Sequence, residues 1–367
     1  MASFQKRGKT WQYTISRMVN GQSRPIRKSG FRTKKEAQVA AADVESDLRK
    51  GVVPHLQLEP FDEYFASWVK TFKTDITDNT LVRYRNSLQA IKEEFEGVPI
   101  QNINKRTYQA FLNEYGETHA KETTRKLNIH IRACVRNAID EGIIRVDFTR
   151  GAVITGKEGK KKIDKYLGYD DGKKLLKTII ERLDKSMTYY LLLLALTSGM
   201  RFGEIVGLTR KDFDFVNNTI SINKTWGYSA NMQQGWGSTK NGEERVIKMD
   251  VETMKLFKKL FMTKPDNIKK LVFYSPQSMY HVISNGTSNK VLRGLLKDLK
   301  LKRVSLHSMR HTHASILLYE GVSFYYVSKR LGHKDLETTL NTYSHVIKEM
   351  EERDENKSTG VFEKMYV

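Results

Sequence analysis

Four side chains between His307 and Tyr343 could act together on a phosphate. His307 and Arg310 stand three residues apart, a spacing that puts an imidazole and a guanidinium on one face of a helix. His333 follows Leu331 and Gly332, where a helix is expected to stop, and Tyr343 closes the stretch. A permanent cation, two imidazoles and a phenol can supply the grip, the proton transfers and the nucleophile of a phosphoryl transfer.

Each residue also has a plainer reading. Tyr343 falls on one helical face with Leu336 and Leu340, and taken alone it is a core tyrosine. His307 and His311 stand at i, i+4 with His313 following, the spacing of a zinc pair, but the glutamate of HExxH is missing and no cysteine is near. No metal is expected, and His311 and His313 read as packing and hydrogen-bonding residues. Asp212 and Asp214 fall at a helix-to-strand junction as turn or cap residues, and Glu204, one turn after Arg201, reads as an orienting group.

In order and spacing, HSMRHTHAS, RLGH and TLNTYSHV resemble the C-terminal signature of tyrosine recombinases, the integrases of phages and conjugative transposons. TSGMRFGEIVGL resembles the family's first arginine box and STKNGEERVIKM its β-hairpin lysine segment. The resemblance therefore implies a catalytic set of Arg201, Lys240, His307, Arg310, His333 and Tyr343. By spacing alone Lys240, at a hairpin tip before Asn241-Gly242, would be an idle solvated lysine.

What the resemblance implies follows phosphodiester chemistry. Tyr343 attacks; Arg201 and Arg310 hold the non-bridging oxygens with planar forks; Lys240 protonates the leaving 5′ oxygen. His307 assists proton transfer and His333 bonds a non-bridging oxygen. A 3′-phosphotyrosyl intermediate retains the bond energy, so neither a metal, ATP nor any other cofactor is expected.

Composition is consistent with such a substrate. The 367 residues carry 63 Lys and Arg against 42 Asp and Glu, a formal charge of +21 that sets up a field suited to a polyanion. The length suits two or three domains, and 39% hydrophobic residues suffice for ordinary cores. The longest apolar run, Tyr189 to Leu196, is far short of a membrane span, and MASFQKRGKTW lacks a signal-peptide core, so a soluble protein of the bacterial cytoplasm and nucleoid is expected. Cys134 is the single cysteine, which excludes an internal disulfide and suits a reducing compartment.

The expected fold is multidomain and mainly α with small β-sheets. Residues 1–55 read as a β-sheet-plus-helix domain: WQYTISRM alternates, Asn20-Gly21 signals a hairpin, SRPIRKSGF returns as an edge strand after Pro25, and Thr33 with Glu36 opens a helix striped by Ala37, Ala40, Ala41, Val44 and Leu48. With Trp11, Tyr13 and Ile15 on that helix, the other face carries Gln12, Thr14, Ser16 and Arg27. Through Leu58 there are twelve Lys and Arg against four Asp and Glu, and the segment resembles the arm-site DNA-binding domain of integrases; a solvated basic hairpin is the plainer reading.

Residues 59–153 read as a helical core-binding domain, with stripes of Phe61, Tyr64, Phe65, Trp68, Val69 and Phe72; Leu81, Tyr84, Leu88, Ile91 and Phe95; Tyr108, Phe111, Leu112 and Tyr115; and Leu127, Ile131, Val135 and Ala138, Gly142 ending the last. Arg83, Arg85, Lys121, Arg125 and Lys126 are candidate phosphate contacts, or simply solvated cations. Residues 154–166 read as a basic interdomain linker that does not pack, with Lys160, Lys161 and Lys162 as further DNA contacts. Residues 167–367 read as a mixed α+β catalytic domain: helices around Leu175–Leu183 and MTYYLLLLAL, a hairpin at Asn217-Asn218, a polar loop at 227–238, a helix from Val251, a strand LVFYS, a helix from Val291, and a polar tail that packs in cis or in trans.

The resulting expectation is a site-specific recombinase of a mobile element. Its partners would be double-stranded DNA at core and arm sites, three further copies in a tetramer on DNA, an excision factor and a host DNA-bending protein. The competing classes are a type IB topoisomerase with the same chemistry, a non-enzymatic DNA-binding regulator on the same fold, and, more remotely, a metal-dependent nuclease.

Overall fold

The computed structural model describes residues 2–19, 22–49, 58–159, 166–228, 235–239, 242–343 and 355. The chain divides into two compact units, Met1–Gly159 and Lys160–Val367. Among the described residues no helix is long and apolar enough to cross a membrane.

The first unit opens with a three-stranded antiparallel sheet in the order β1 (Ala2–Arg7), β2 (Thr10–Ile15), β5 (Ile26–Phe31), with the short strands β3 (Met18–Val19) and β4 (Gln22–Ser23) paired between them. The Asn20-Gly21 turn lies outside the described residues. β1 is a strand that residue alternation does not announce, and β5 is an edge strand, as Pro25 implies. Tyr13 and Ile15 pack on Ala41 and Val44 of α1 (Lys34–Arg49). Thr33 Oγ1 accepts the Glu36 amide, while the Glu36 carboxylate reaches one residue beyond a regular capping box, to the Arg32 amide.

A register shift between Trp11 and Gln12 changes the expected faces. Trp11 lies outside the core cluster, under the Lys34 ammonium at 5.7 Å from its ring centre. Gln12 is only 9% exposed.

Four helices follow: α2 (Phe61–Phe72), α3 (Asp78–Phe95), α4 (Lys105–Thr118) and α5 (Lys121–Asp140). Their apolar stripes meet in one core, where Phe61 stands edge-on to Phe65, Phe95 and Phe148, and the Tyr108 hydroxyl donates to Asn128 Oδ1 at 2.7 Å. Phe72 departs from the stripe and is exposed, because α2 ends at that residue. Cys134 is buried in this core.

The start of the expected linker is not loose. Ile154 packs on the bundle, Thr155 Oγ1 donates to the Leu112 carbonyl at 3.0 Å, and the Lys157 amide donates to His119 O at 2.9 Å while its carbonyl accepts from Lys121 N at 3.0 Å. Backbone pairing with the α4–α5 turn satisfies polar groups that a free linker would leave to water. Lys160, Lys161 and Lys162 lie outside the described residues.

The second unit is built around α7 (Met187–Ser198), whose Leu191 to Leu196 are all buried, so that apolar residues must surround it on every side. α6 (Tyr169–Glu181), α8 (Phe202–Val206), α9 (Val251–Thr263) and α10 (Asn285–Asp298) contribute to the same core. A sheet in the order β10 (Arg245–Lys248), β7 (Thr219–Ile222), β6 (Phe213–Asp214) lies beside a separate pair, β8 (Thr225–Trp226) with β9 (Trp236–Gly237). The strands flanking the second turn thus pair elsewhere, and Asn241 of that turn lies outside the described residues. LVFYS forms no ladder strand; it makes only the isolated bridges Thr209 to Leu271 and Tyr274 to Val282.

The signature stretch forms α11 (Leu306–Tyr319), α12 (Phe324–Leu331) and a last helical stretch over 336–343. Ser305 and Ser308 cap α11 reciprocally, and the Leu167 amide donates to Thr312 Oγ1 at 3.0 Å. Asp335 Oδ1 accepts the Thr338 amide at 2.7 Å and starts the last stretch.

The docked linker predicts a sensitive position. At Gly156 φ is +144° and an added Cβ would stand 2.5 Å from Lys121 N. Gly156→Ala is expected to cost about 1 to 3 kcal/mol in urea unfolding of the first unit, and a wild-type midpoint would show that residues 155–157 are not held as described.

Candidate active site

The site grows from one buried carboxylate. Glu204, on α8, is 1% exposed. It accepts the Arg201 amide at 2.9 Å and Arg201 Nη1 at 3.0 Å, and it takes both terminal nitrogens of Arg245, at 3.1 and 2.7 Å. Burial alone would raise its pKa, but the hydrogen bonds and charge of Arg245, with those of Arg201, hold the carboxyl below its ordinary range.

Arg201 extends from Glu204 to the turn after α12, where Nη2 donates to the Gly332 carbonyl at 2.8 Å. Arg245 reaches the same turn, its Nε donating to Arg330 O at 3.0 Å. Gly332 caps α12 in the left-handed conformation with φ +68°, and a Cβ there would press on the Arg245 guanidinium at 2.9 to 3.2 Å. Only glycine suits that backbone at that distance.

Arg310, on α11, is 4% exposed; Nη1 donates to the Gly199 carbonyl at 2.9 Å, and Nη2 has no hydrogen-bond partner among the described residues. Burial lowers its pKa to about 9, helped by the positive charges of Arg201 and Arg245, so it stays a cation at neutral pH. Two guanidiniums, each tied by one nitrogen to a glycine carbonyl, thus lie within each other's field.

His313 secures the frame. Its Nδ1 bonds Leu196 O at 2.9 Å and its Nε2 accepts from Arg330 Nε at 3.0 Å, so both nitrogens are committed to structure rather than to a zinc pair. Arg330 also donates to Lys248 O at 2.6 Å and Thr197 O at 3.2 Å, joining α12 to β10 and α7. Burial, with the charge of Arg330, pulls His313 down to about 3.

Tyr343 is 1% exposed and packs with Ala314, Leu318, Val327 and Leu331. Leu336 and Leu340, expected to share its buried face, are exposed instead. Its hydroxyl lies 3.1 Å from His311 Nδ1, and the His307 ring stands edge-on to the His311 ring, centres 5.1 Å apart. Burial raises the phenol to about 12 against the opposing pull of Arg310. His333 bonds Thr339 Oγ1 at 2.7 Å through Nδ1, and burial, then Arg310 and Arg201, lower it to about 4.

Arg201, His307, Arg310, His333 and Tyr343 are therefore all in the second unit, on or beside α8, α11, the Gly332 turn and the last helical stretch. Lys240 lies outside the described residues. Of the tentative DNA contacts, Ser16, Arg27, Arg83, Arg85, Lys121, Arg125 and Lys126 are exposed, Thr14 is half-buried and Gln12 is buried. Arg125 is paired with Glu122 at 3.3 Å. Asp212 caps Thr209 and pairs with Lys224, and Asp214 accepts the Val216 and Asn217 amides, so both are turn and cap residues. Sequence reasoning misses Arg330; its only signal there is its place two residues before Gly332.

Comparison with known proteins gives three matches along the chain: the phage integrase family over residues 165–350, an arm DNA-binding domain over 3–48, and the SAM-like N-terminal domain of phage integrases over 60–115. The integrase of Staphylococcus phage L54a is 26% identical over 328 residues, covering 81% of this chain and 90% of that protein. Two solved structures share the fold. The Tn1549 transposon integrase with a circular intermediate DNA has a TM-score of 0.65 at 19% identity, over 78% of this chain and 95% of that one. A lambda integrase tetramer on a Holliday junction has a TM-score of 0.61 at 16% identity, over 89% of this chain and 91% of that one.

Two outcomes follow from the geometry. Glu204→Gln leaves Arg201 and Arg245 without their shared charge and is expected to cost roughly 3 to 5 kcal/mol in urea unfolding of the full chain; an unchanged midpoint would contradict the network. Unfolded histidines take up protons near pH 6.5, whereas His333 and His313 resist until about 4 and about 3. Since the unfolded state binds more protons in that window, stability is complete above pH 6.5 and is lost as pH falls toward 4. Calorimetry of the full chain from pH 7.5 to 4.5 should show the second unit's transition falling, with a flatter dependence in His333→Asn.

Proposed function

The chain belongs to the phage integrase family, and from that premise we propose that it is the recombinase of a mobile element, which cuts and rejoins DNA at specific sites through Tyr343. Family membership favours this reading over a type IB topoisomerase or a non-enzymatic regulator. The observation that carries it is a buried arginine beside a half-buried one: among the described residues Arg310 Nη2 has no hydrogen-bond partner, in a site that holds Arg201 and the Tyr343 hydroxyl within its field. An unbonded, desolvated guanidinium nitrogen costs folding free energy, and an oxygen of a phosphate would satisfy it.

In this reading Arg201 and Arg310 bear on the non-bridging oxygens and stabilise the charge gained at phosphorus. His333, neutral at pH 7, would carry its proton on Nε2 when Thr339 donates to Nδ1, and so offers a further hydrogen bond. Tyr343 Oη bonds to phosphorus, the bond to the 5′ oxygen breaks, and Lys240 supplies that oxygen's proton. Attack by another strand's 5′ hydroxyl reverses the steps. The last helical stretch must yield the covered phenol to the phosphate.

Four strands are exchanged with one tyrosine each, so four copies on two duplexes complete the reaction. The exposed basic residues of the first unit suit contacts to phosphates at core and arm sites. An excision factor and a host DNA-bending protein would set direction and bring arm and core sites together, in the bacterial cytoplasm.

On a nicked duplex carrying the element's end junction, the wild-type chain should form a covalent complex that survives denaturation and maps to Tyr343. Tyr343→Phe should bind the duplex and form none. Arg310→Lys should slow its formation by about 10² to 10³, equivalent to roughly 3 to 4 kcal/mol. A covalent complex with Tyr343→Phe would end the proposal.

A further inference from the structure

Among the described residues His311 holds the Tyr343 hydroxyl, one helical turn beyond the histidine to which the sequence resemblance gives proton transfer. We infer that His311 is a catalytic residue of this site, its Nδ1 taking the phenolic proton as the Tyr343 oxygen attacks phosphorus and returning it when the ester is broken. The inference rests on the recombinase reading and adds a residue to it.

The first support is geometric. Nδ1 and the phenol oxygen are 3.1 Å apart, within direct proton-transfer reach, and the two ring centres are 5.8 Å apart at 59°. The contact joins α11 to the last helical stretch across 32 positions of sequence, so it is set by tertiary packing rather than by chain proximity. Successive residues on α11 point to different parts of the site, since Arg310 turns inward to the Gly199 carbonyl while His311 meets the nucleophile.

The second support is the setting of the phenol. Ala314, Leu318, Val327 and Leu331 surround the Tyr343 ring, so water is a poor acceptor for its proton there. Burial works against phenolate, and Arg310 only partly offsets it. An acceptor already in contact removes the need to form an unpaired phenolate in that setting. Among the described residues, the charged and titratable groups around His311 include His307 and Arg310 on its own helix, His333 at the Gly332 turn, and Tyr343 itself.

Atoms balance in the step. With the ring proton on Nε2, Nδ1 accepts the phenolic hydrogen; the O–H bond breaks and N–H forms while the phenol oxygen bonds to phosphorus. The 5′ oxygen departs with a proton from a separate donor, Lys240 in the reading above. His307 stands edge-on to His311 and is exposed.

The test compares wild type, His311→Ala, His311→Gln and Tyr343→Phe on two nicked duplexes, one normal and one with sulfur replacing the 5′ bridging oxygen. Sulfur leaves without needing a proton, so it relieves the loss of an acid and not the loss of a base. His311→Ala should form covalent complex about 10²-fold more slowly on both duplexes, with added imidazole restoring part of the rate. His311→Gln keeps a hydrogen-bonding group yet cannot take a proton, so it should stay slow while binding DNA and melting as wild type. Wild-type rates in either variant, recovery in His311→Gln, or rescue by sulfur would overturn the assignment. If wild type itself forms no covalent complex, the recombinase reading falls and this inference with it; if wild type reacts and the variants match it, only the inference falls.

Discussion

A carboxylate closed off from water and shared by two guanidiniums governs the second unit. Burying one ion is costly, and three arginines in mutual repulsion would be more so; Glu204 makes the cluster tenable by giving Arg201 and Arg245 a common counter-charge with every oxygen lone pair directed at a donor. The arrangement fixes direction as well as charge. With Nη1 bonded to Glu204, Arg201 also reaches the Gly332 carbonyl through Nη2. Arg245 meanwhile ties β10 to the end of α12. One acid therefore positions a helix start, a strand and a turn that lie far apart in sequence.

Backbone carbonyls at glycine turns complete the scaffold. Gly199 and Gly332 both end helices in the left-handed conformation, where the last carbonyls lack intrahelical partners. Arg310 and Arg201 take up those carbonyls, so the helix ends are satisfied by the very cations that face the phosphate in the proposed reaction. Helix C-termini carry partial negative charge, which helps to hold cations that burial would otherwise disfavour. Arg330 and His313 repeat the device behind the site, bonding Thr197, Leu196 and Lys248 carbonyls.

Much of this was legible in the sequence because it rests on local period and spacing. The amphipathic stripes of α2 to α6, the unbroken apolar run of α7 and the Asn217-Asn218 turn follow from residue pattern, and the order of arginine, histidine and tyrosine motifs pointed to the same family as the comparisons. What escaped was set by tertiary pairing. A register shift that buries Gln12, a linker start that pairs with the α4–α5 turn, and LVFYS making bridges instead of a strand all depend on partners distant in sequence. Leu336 and Leu340 looked like companions of Tyr343, yet the last helical stretch turns them outward. Histidine roles were hardest to read: three lie within seven residues, and only packing separates His313, locked between a carbonyl and Arg330, from His311, held against the phenol.

Two scales of charge act on DNA in this protein, and they respond differently to solution conditions. The excess of 63 basic over 42 acidic residues produces a long-range field that gathers a duplex without regard to sequence. Ions screen such a field over about 8 to 10 Å at ordinary salt, so encounter weakens as salt rises. Arg310 is buried and Arg201 half-buried, both held by directed bonds, so in the proposed reaction they would act on a single phosphate at contact distance, where screening is weaker. The frame that holds them carries a counter-charge in Glu204, shared by Arg201 and Arg245, which helps the site keep its geometry while the surface stays strongly basic. In the proposed reaction salt should thus alter how often DNA arrives more than how fast a bound phosphate reacts, because exposed cations are screened more than the half-buried Arg201 and the buried Arg310.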